Sequence, residues 1–199
     1  MPGIDPSIVE HEIRTYPDAR PIDPSIVEHE IRTYPDARPI RQKLRPINPR
    51  KVVVVKDEVE NLLKAGFIYP IALTKWVSNP VPVDKKQGTI CVCTDFQDLN
   101  KACPKDNYPM PFIDQIIDDC AGSEVFSFMD GFLGYNQIQI KPEDQHKIAS
   151  ICPWGTFAYK KMPFGFKKAA ATFQREMNIS FHDIKSIVES YLDDLPTHS

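Results

Sequence analysis

Hydrophobic residues along the 199-residue chain change their spacing several times, and each change predicts an element. In "VVVVKDEVENLLKAGFI" (52–68), Val55, Val59, Leu62 and Leu63 recur at helical spacing, which predicts a helix with one apolar face, stopped by Gly66. "NPVPVDKK" and "GTICVCTDF" then alternate, predicting two strands of a hairpin about a polar turn at 84–88. Helical spacing returns in "FIDQIIDDCAG" (112–122) through Ile113, Ile116, Ile117 and Cys120, with Gly122 as the stop. In "SEVFSFMDGFLGYNQIQI" (123–140) the period drops to two, so a buried strand is expected to deliver Asp130 at its end, just before Gly131 and Gly134. A second hairpin is predicted around 153–155, followed by a helix with Phe166, Ala170, Phe173, Met177 and Phe181 on one stripe. Last, Ile187, Val188 and Tyr191 suit a strand, and Asp193 and Asp194 suit the tight turn of a hairpin whose return strand is almost absent.

The N-terminal part has a different character. "IDPSIVEHEIRTYPDARP" occupies residues 4–21 and again, unchanged, residues 22–39. Two copies broken by prolines are too few for a stacked solenoid, so a duplicated linker is expected. Each copy offers one short amphipathic helical piece, "PSIVEHEIR", and residues 1–39 are expected to be weakly ordered. Residues 40–51 then bring Arg41, Lys43, Arg45, Arg50 and Lys51 with no acidic residue among them. That stretch fits a solvated connector as well as a strand that contacts phosphates.

A composition of 42% hydrophobic and 26% charged residues is that of a globular chain with one sizeable core. The net charge of −3 does not advertise nucleic acid, so such binding has to come from local clusters. Five cysteines without a paired-knuckle spacing, no secretory leader and no long apolar run predict a reducing, intracellular setting, cytoplasmic or nuclear, without membrane insertion. Cys91 and Cys93 face one side of a strand, where buried free thiols compete with a zinc site completed by His146 or another Cys.

Candidate chemistry lies in the carboxylates. Asp118 and Asp119 fall in the last turn of an amphipathic helix, where the macrodipole disfavours them, and read as surface charges. Asp130 and Asp193 instead finish apolar strands that one sheet can bring side by side. At ~4 Å and an effective dielectric near 20, two carboxylates repel by about 4 kcal/mol. A divalent cation removes that penalty, and all-oxygen ligation selects a hard ion such as Mg²⁺ or Mn²⁺. Two such ions held by bridging carboxylates suit in-line phosphoryl displacement.

"FSFMDGFLGYNQI", "MPFGFKKAAATFQ" and "YLDD", in that order, resemble the palm motifs of reverse transcriptases of gypsy-type LTR retrotransposons. "LLKAGFIYP", "WVSNPVPVDKK", "TDFQDLNKACPKDNYPMP" and "DQIID" add to the resemblance, which covers residues 39–199. It implies an α+β, right-hand polymerase fragment of fingers and palm over 40–199, truncated after the YLDD hairpin, and RNA-directed DNA synthesis. By the resemblance, Asp130, Asp193 and Asp194 are the catalytic carboxylates that hold two Mg²⁺ or Mn²⁺ ions. Tyr135 takes the place of the aromatic gate that rejects a 2′-hydroxyl. Backbone amides from Phe132 to Gly134 approach the triphosphate, Phe164 and Gly165 flank the incoming nucleotide, and Lys85 or Lys86 meets its phosphates. Asp95, Gln97 and Asn100 lie along the template. The implied partners are an RNA or DNA template with its primer, deoxynucleoside triphosphates and, as a candidate, a second copy of the chain.

Several positions depart from the family pattern. Cys91 and Gln97 stand where arginines are usual, Leu133 where Ser is, and Lys168 where Asn is. A thiol does not replace a fixed cation with five donors. Weak or absent synthesis by this chain is therefore expected, the alternative being a non-catalytic nucleic-acid-binding remnant.

Overall fold

The structure, a computed structural model, describes residues 28–199 except 87, 131–133, 186, 193 and 199, and only the backbone at 128–130. Among the described residues the order is β1 (Glu28–His29), α1 (Pro49–Lys64), β2 (Ile68–Pro70), β3 (Pro80–Asp84), β4 (Ile90–Thr94), α2 (Gln97–Ala102) and α3 (Ile113–Cys120). Next come β5 (Phe126–Asp130), α4 (Gly134–Gln137), β6 (Gln139–Ile140), β7 (Ala149–Cys152), β8 (Gly155–Tyr159), α5 (Ala169–Ser180) and β9 (Asp194–His198).

The α1 helix starts where Asn48 accepts the Arg50 N–H and Pro49 supplies a preset first turn. It ends before Gly66, whose φ of 73° lies in the left-handed region that glycine enters freely. Val55 is buried, and Val59, Leu62 and Leu63 pack on Ile68, Cys152 and Phe157 of the antiparallel sheet β2-β8-β7. The hairpin β3-β4 pairs Pro80 with Thr94 through Asp84 with Ile90 and joins that sheet through a bridge between Ser78 and Ser150. These elements form one side of the molecule. On the other side α5 buries Phe173 and Met177, and Phe166 just before it, into a core shared with Phe96, Leu99, Tyr135, Ile138, Ile140, Ile148 and Met162.

Three expectations change. The segment up to Pro39 is not weakly held throughout: from Glu28 onward the second repeat copy is part of the core, and its residues 28–32 form a strand and extended chain instead of a helix. Glu28 and His29 pair in parallel with Gln139 and Ile140, and Ile31 is fully buried. Ile31 donates its N–H to Asp144 Oδ2 at 2.8 Å and accepts from Lys147 Nζ at 2.8 Å. These long-range partners are invisible to local propensity. The first copy, and the boundary of the linker before residue 28, lie outside the described residues.

Next, β5 begins exposed where a buried strand was expected. Among the described residues it pairs only with β9, in a two-stranded ribbon, and Val125 just before it and Phe126 at its start are 63% and 47% exposed. Ile113 and Ile117 of α3 are exposed beside it, and an open apolar groove of about 760 Å³ lies between α3 and the ribbon. Third, the return strand of the last hairpin is present: β9 runs five residues, and its partner arm, not the return, is reduced to single bridges at Val188 and Tyr191. Pro196 is tolerated because its missing donor faces that arm, where Glu189 N–H still donates to Pro196 O at 3.0 Å. By strand alternation the positions either side of it, Leu195 and Thr197, aim their backbone groups at β5.

His29 gives the arm a pH dependence. Its ring is buried against the edge of Phe166, and Nδ1 lies 2.8 Å from the Thr172 hydroxyl. Burial, helped by the Lys168 ammonium and opposed by Asp106 and Asp144, lowers its pKa from 6.5 to about 4. Between those values the unfolded chain binds the extra proton, so this stability is in place above pH 6.5 and is lost as pH falls towards 4. The expected loss is about 3 kcal/mol, which urea unfolding at pH 7 and pH 4 measures; His29→Asn flattens the difference.

Candidate active site

The antiparallel register of β5 and β9 ends with Asp130 directly opposite Asp194. Directly opposed residues in such a ladder have Cα atoms about 4.5–5.5 Å apart. Two residues 64 positions apart in sequence are thereby set side by side, with Asp193 next in the chain. Asp193 itself lies outside the described residues. The turn that carries it is held by a reciprocal pair of bonds, Tyr191 N–H to Asp194 O at 2.9 Å and Asp194 N–H to Tyr191 O at 3.0 Å. Only two residues are left between, so the turn demands a primed conformation, and Leu192 takes φ 54°. A left-handed non-glycine residue costs roughly 1–2 kcal/mol. Something must hold it there.

Gln174 does so. It is fully buried in α5, where its Oε1 accepts the Leu192 N–H at 2.8 Å. Its Nε2 donates to Ser190 O at 2.8 Å and lies within 3.0 Å of Ser190 Oγ and Asn178 Oδ1. Its acceptor and its donor thus both join α5 to the turn bearing the Asp pair, with Asn178 one turn on in the same helix as a further partner. Sequence reasoning missed it, although an amide among Phe173 and Met177 on a buried stripe, with Asn178 four residues on, was a usable signal.

Tyr135 and Phe164 lie together, with ring centroids 4.9 Å apart and edge to face. Tyr135 is buried and leans on Phe173 at 5.0 Å, while Phe164 is half exposed. The pair forms a floor beside the start of α4 at Gly134. Gly165 has φ 89°, and a Cβ there would meet the Thr94 carbonyl at 3.4 Å, so the loop passes close to β4. Phe132 lies outside the described residues. Lys85 and Lys86 stand exposed at the tip of the β3-β4 hairpin.

The template-side residues divide. Gln97 is exposed at the start of α2. Asp95 is held by Arg45 at 2.7 Å. Asn100 uses its amide on the 164–168 loop, donating to Gly165 O at 2.9 Å and accepting the Lys167 N–H at 2.8 Å. It positions that loop. Of the basic stretch, Lys51 pairs with Asp84 at 2.6 Å, whereas Arg41, Lys43 and Arg50 are exposed without ion pairs among the described residues. Cys91 faces Val83 across the hairpin, and burial with the neighbouring Cys91 pushes the Cys93 thiol up, keeping it neutral. No third ligand joins Cys91 and Cys93 among the described residues. Asp118 and Asp119 are exposed on α3, as expected for surface charges.

Residues 82–199 match the family described as "Reverse transcriptase (RNA-dependent DNA polymerase)". The chain belongs to the reverse transcriptase family. It is 36% identical over 158 residues to the Transposon Tf2-3 polyprotein of Schizosaccharomyces pombe, and 35% identical over the same length to the Tf2-7 polyprotein. The aligned part is 77% of this chain and 12% of those polyproteins, so the chain spans about an eighth of the length of these relatives. Its fold is similar to part of the prototype foamy virus protease-reverse transcriptase, with a TM-score of 0.76 and 24% identity over 85% of this chain and 22% of the other. The foamy viral enzyme solved with an RNA/DNA hybrid gives a TM-score of 0.77 at 20% identity, covering 86% and 23%.

Fingers and palm can now be assigned: sheet β2-β8-β7, α1 and the β3-β4 hairpin on one side, α3 to α5 with the β5-β9 ribbon on the other. Reverse transcriptases use divalent metal ions. The donors fit that requirement, because the register sets carboxylate positions 130 and 194 opposite each other with a further carboxylate adjoining, and all three offer oxygen. No helix among the described residues is long and apolar enough to cross a membrane.

Proposed function

We propose that the chain carries the nucleotidyl-transfer centre of an RNA-directed DNA polymerase belonging to a retrotransposon polyprotein. The single observation that supports this most is the pairing of Asp130 with Asp194 across β5 and β9. Asp130, Asp193 and Asp194 would hold two Mg²⁺ or Mn²⁺ ions. Such ions supply charge neutralisation at the reacting phosphate and lower the pKa of the attacking hydroxyl. The chain's own residues bind and orient. Tyr135, backed by Phe173 and braced by Phe164, presents a ring where the sugar of a deoxynucleoside triphosphate would lie. Gly134 offers an amide without a side chain in the way, and by the family resemblance the amides from Phe132 onward would approach the triphosphate. Lys85 and Lys86 meet phosphates from the hairpin tip, and Gln97 faces the template beside the loop that Asn100 holds. The template and primer would be RNA or DNA, in keeping with the double-stranded DNA and RNA/DNA hybrid named for the foamy viral complexes.

Activity is expected to be weak, because the hairpin position that resemblance assigns to a triphosphate-gripping arginine is Cys91. Restoring one charge-assisted contact is worth about 1.5–3 kcal/mol. Cys91→Arg is therefore expected to lower the KM for nucleotide by roughly tenfold to a hundredfold in a primer-extension assay with Mg²⁺. Metal-independent retention of primer-template by both forms, with no extension by either, would favour the non-catalytic reading, for which the unpaired Arg41, Lys43 and Arg50 are the observation.

A further inference from the structure

The segment built into the core through His29 and Ile31 has an exact duplicate in the same chain. Residues 4–21 repeat residues 22–39 without change, and the identity continues one position further, since Ile22 and Ile40 each follow the closing proline. His11, Ile13 and Tyr16 therefore correspond to His29, Ile31 and Tyr34. In the second copy those residues make the contacts that fix the arm: His29 O accepts the Lys141 N–H at 3.0 Å, the Ile31 N–H reaches Asp144, and the Tyr34 N–H donates to Ala102 O at 2.8 Å. Ile40 O then accepts the Val77 N–H at 3.1 Å, which ties the end of the segment to the fingers.

We infer that the channel in which residues 28–31 lie, bounded by β6, Asp144, Lys147 and Thr172, is a peptide-binding site with two ligands in the chain, and that the first copy exchanges with the second in it. Identical side chains make identical contacts there, so the two registers differ only in chain connectivity. When the first copy is docked, Ile22 takes the place of Ile40 and an 18-residue loop closes before Arg41. Loop closure scales as the three-halves power of length, which disfavours that register by on the order of a hundredfold. The second copy is thus the major ligand and the first a standing reserve. The duplication caps the damage that any lesion in the docked copy inflicts.

Stability measurements on the full chain test this. Ile13→Asp is expected to leave the folding equilibrium unchanged. Ile31→Asp is expected to lower it by on the order of a hundredfold and no more, because the first copy takes over. The double variant, and Ile31→Asp in a chain lacking residues 4–21, are expected to fall at least tenfold further. Equal losses in the single and double variants would overturn the inference. So would rescue that depends on protein concentration, which places one chain's first copy in another chain's channel. Hydrogen exchange supplies a readout without a core substitution: protection of the Ile31 amide should rise when residues 4–21 are deleted, and unchanged protection would overturn the exchange.

Discussion

Asp130→Asn is expected to reduce templated incorporation at least a thousandfold while leaving the chain folded, and in metal-free buffer slightly more stable than the parent. Both outcomes follow from the cross-strand pairing with Asp194. Removing one carboxylate from a site that holds a hard divalent ion forfeits several kcal/mol of charge stabilisation where the reaction needs it, and each 1.36 kcal/mol is a factor of ten in rate. Without metal, the same change relieves repulsion between adjacent carboxylates. A structural aspartate would behave in the opposite way, losing stability with its charge. Primer extension and thermal unfolding on one preparation, with and without Mg²⁺, separate the two. The double Asp118→Asn, Asp119→Asn variant should match the parent in both assays, since that pair is exposed on α3.

Gln174→Leu carries the second large effect. It keeps bulk in a fully buried position but leaves the Leu192 N–H and the Ser190 carbonyl without their partner. A buried unsatisfied group costs about 1–3 kcal/mol, so the expected destabilisation is about 3 kcal/mol. Leu192 is then free to leave the left-handed region, and the turn that carries Asp193 and Asp194 relaxes. Incorporation should fall about a hundredfold, mainly in kcat and in apparent affinity for Mg²⁺, with the KM for nucleotide little changed. A purely structural role would lower stability without moving the Mg²⁺ dependence. Gln174→Glu retains the acceptor to Leu192 and should retain part of the activity, if assayed where the fold is intact.

Much of this was legible in the sequence, for reasons that differ by element. The α1 helix, the β3-β4 hairpin and the β7-β8 hairpin are specified locally, by periodicity and by turn residues such as Gly66 and Gly155, and they appear where the pattern puts them. The sequence paired Asp130 with Asp193 as strand-end carboxylates asking for a shared cation; Asp193 lies outside the described residues, and the residue that the register sets opposite Asp130 is its neighbour Asp194. What escaped were elements defined only by distant partners. The second repeat copy carries prolines and charges that read as a linker, yet Asp144, Lys147 and Thr172 supply its hydrogen bonds from across the fold. The apolar alternation of β5 promised burial, but period alone does not say whether a neighbouring layer covers the strand, and Phe126 stays half exposed. Asn100, expected along the template, holds the 164–168 loop through its amide, a role visible only once α2 and that loop are seen together.

The central claim is that residues 130 and 194 share hard divalent ions across β5 and β9, and Mn²⁺ paramagnetic relaxation tests it most directly. Titrating Mn²⁺ into the ¹⁵N-labelled chain should broaden the amides of Tyr191, Asp194, Leu195 and Met129 first, leave those of Asp118 and Asp119 sharp, and lose its effect in Asp130→Asn. Broadening that begins at α3, or that persists unchanged in Asp130→Asn, would contradict it.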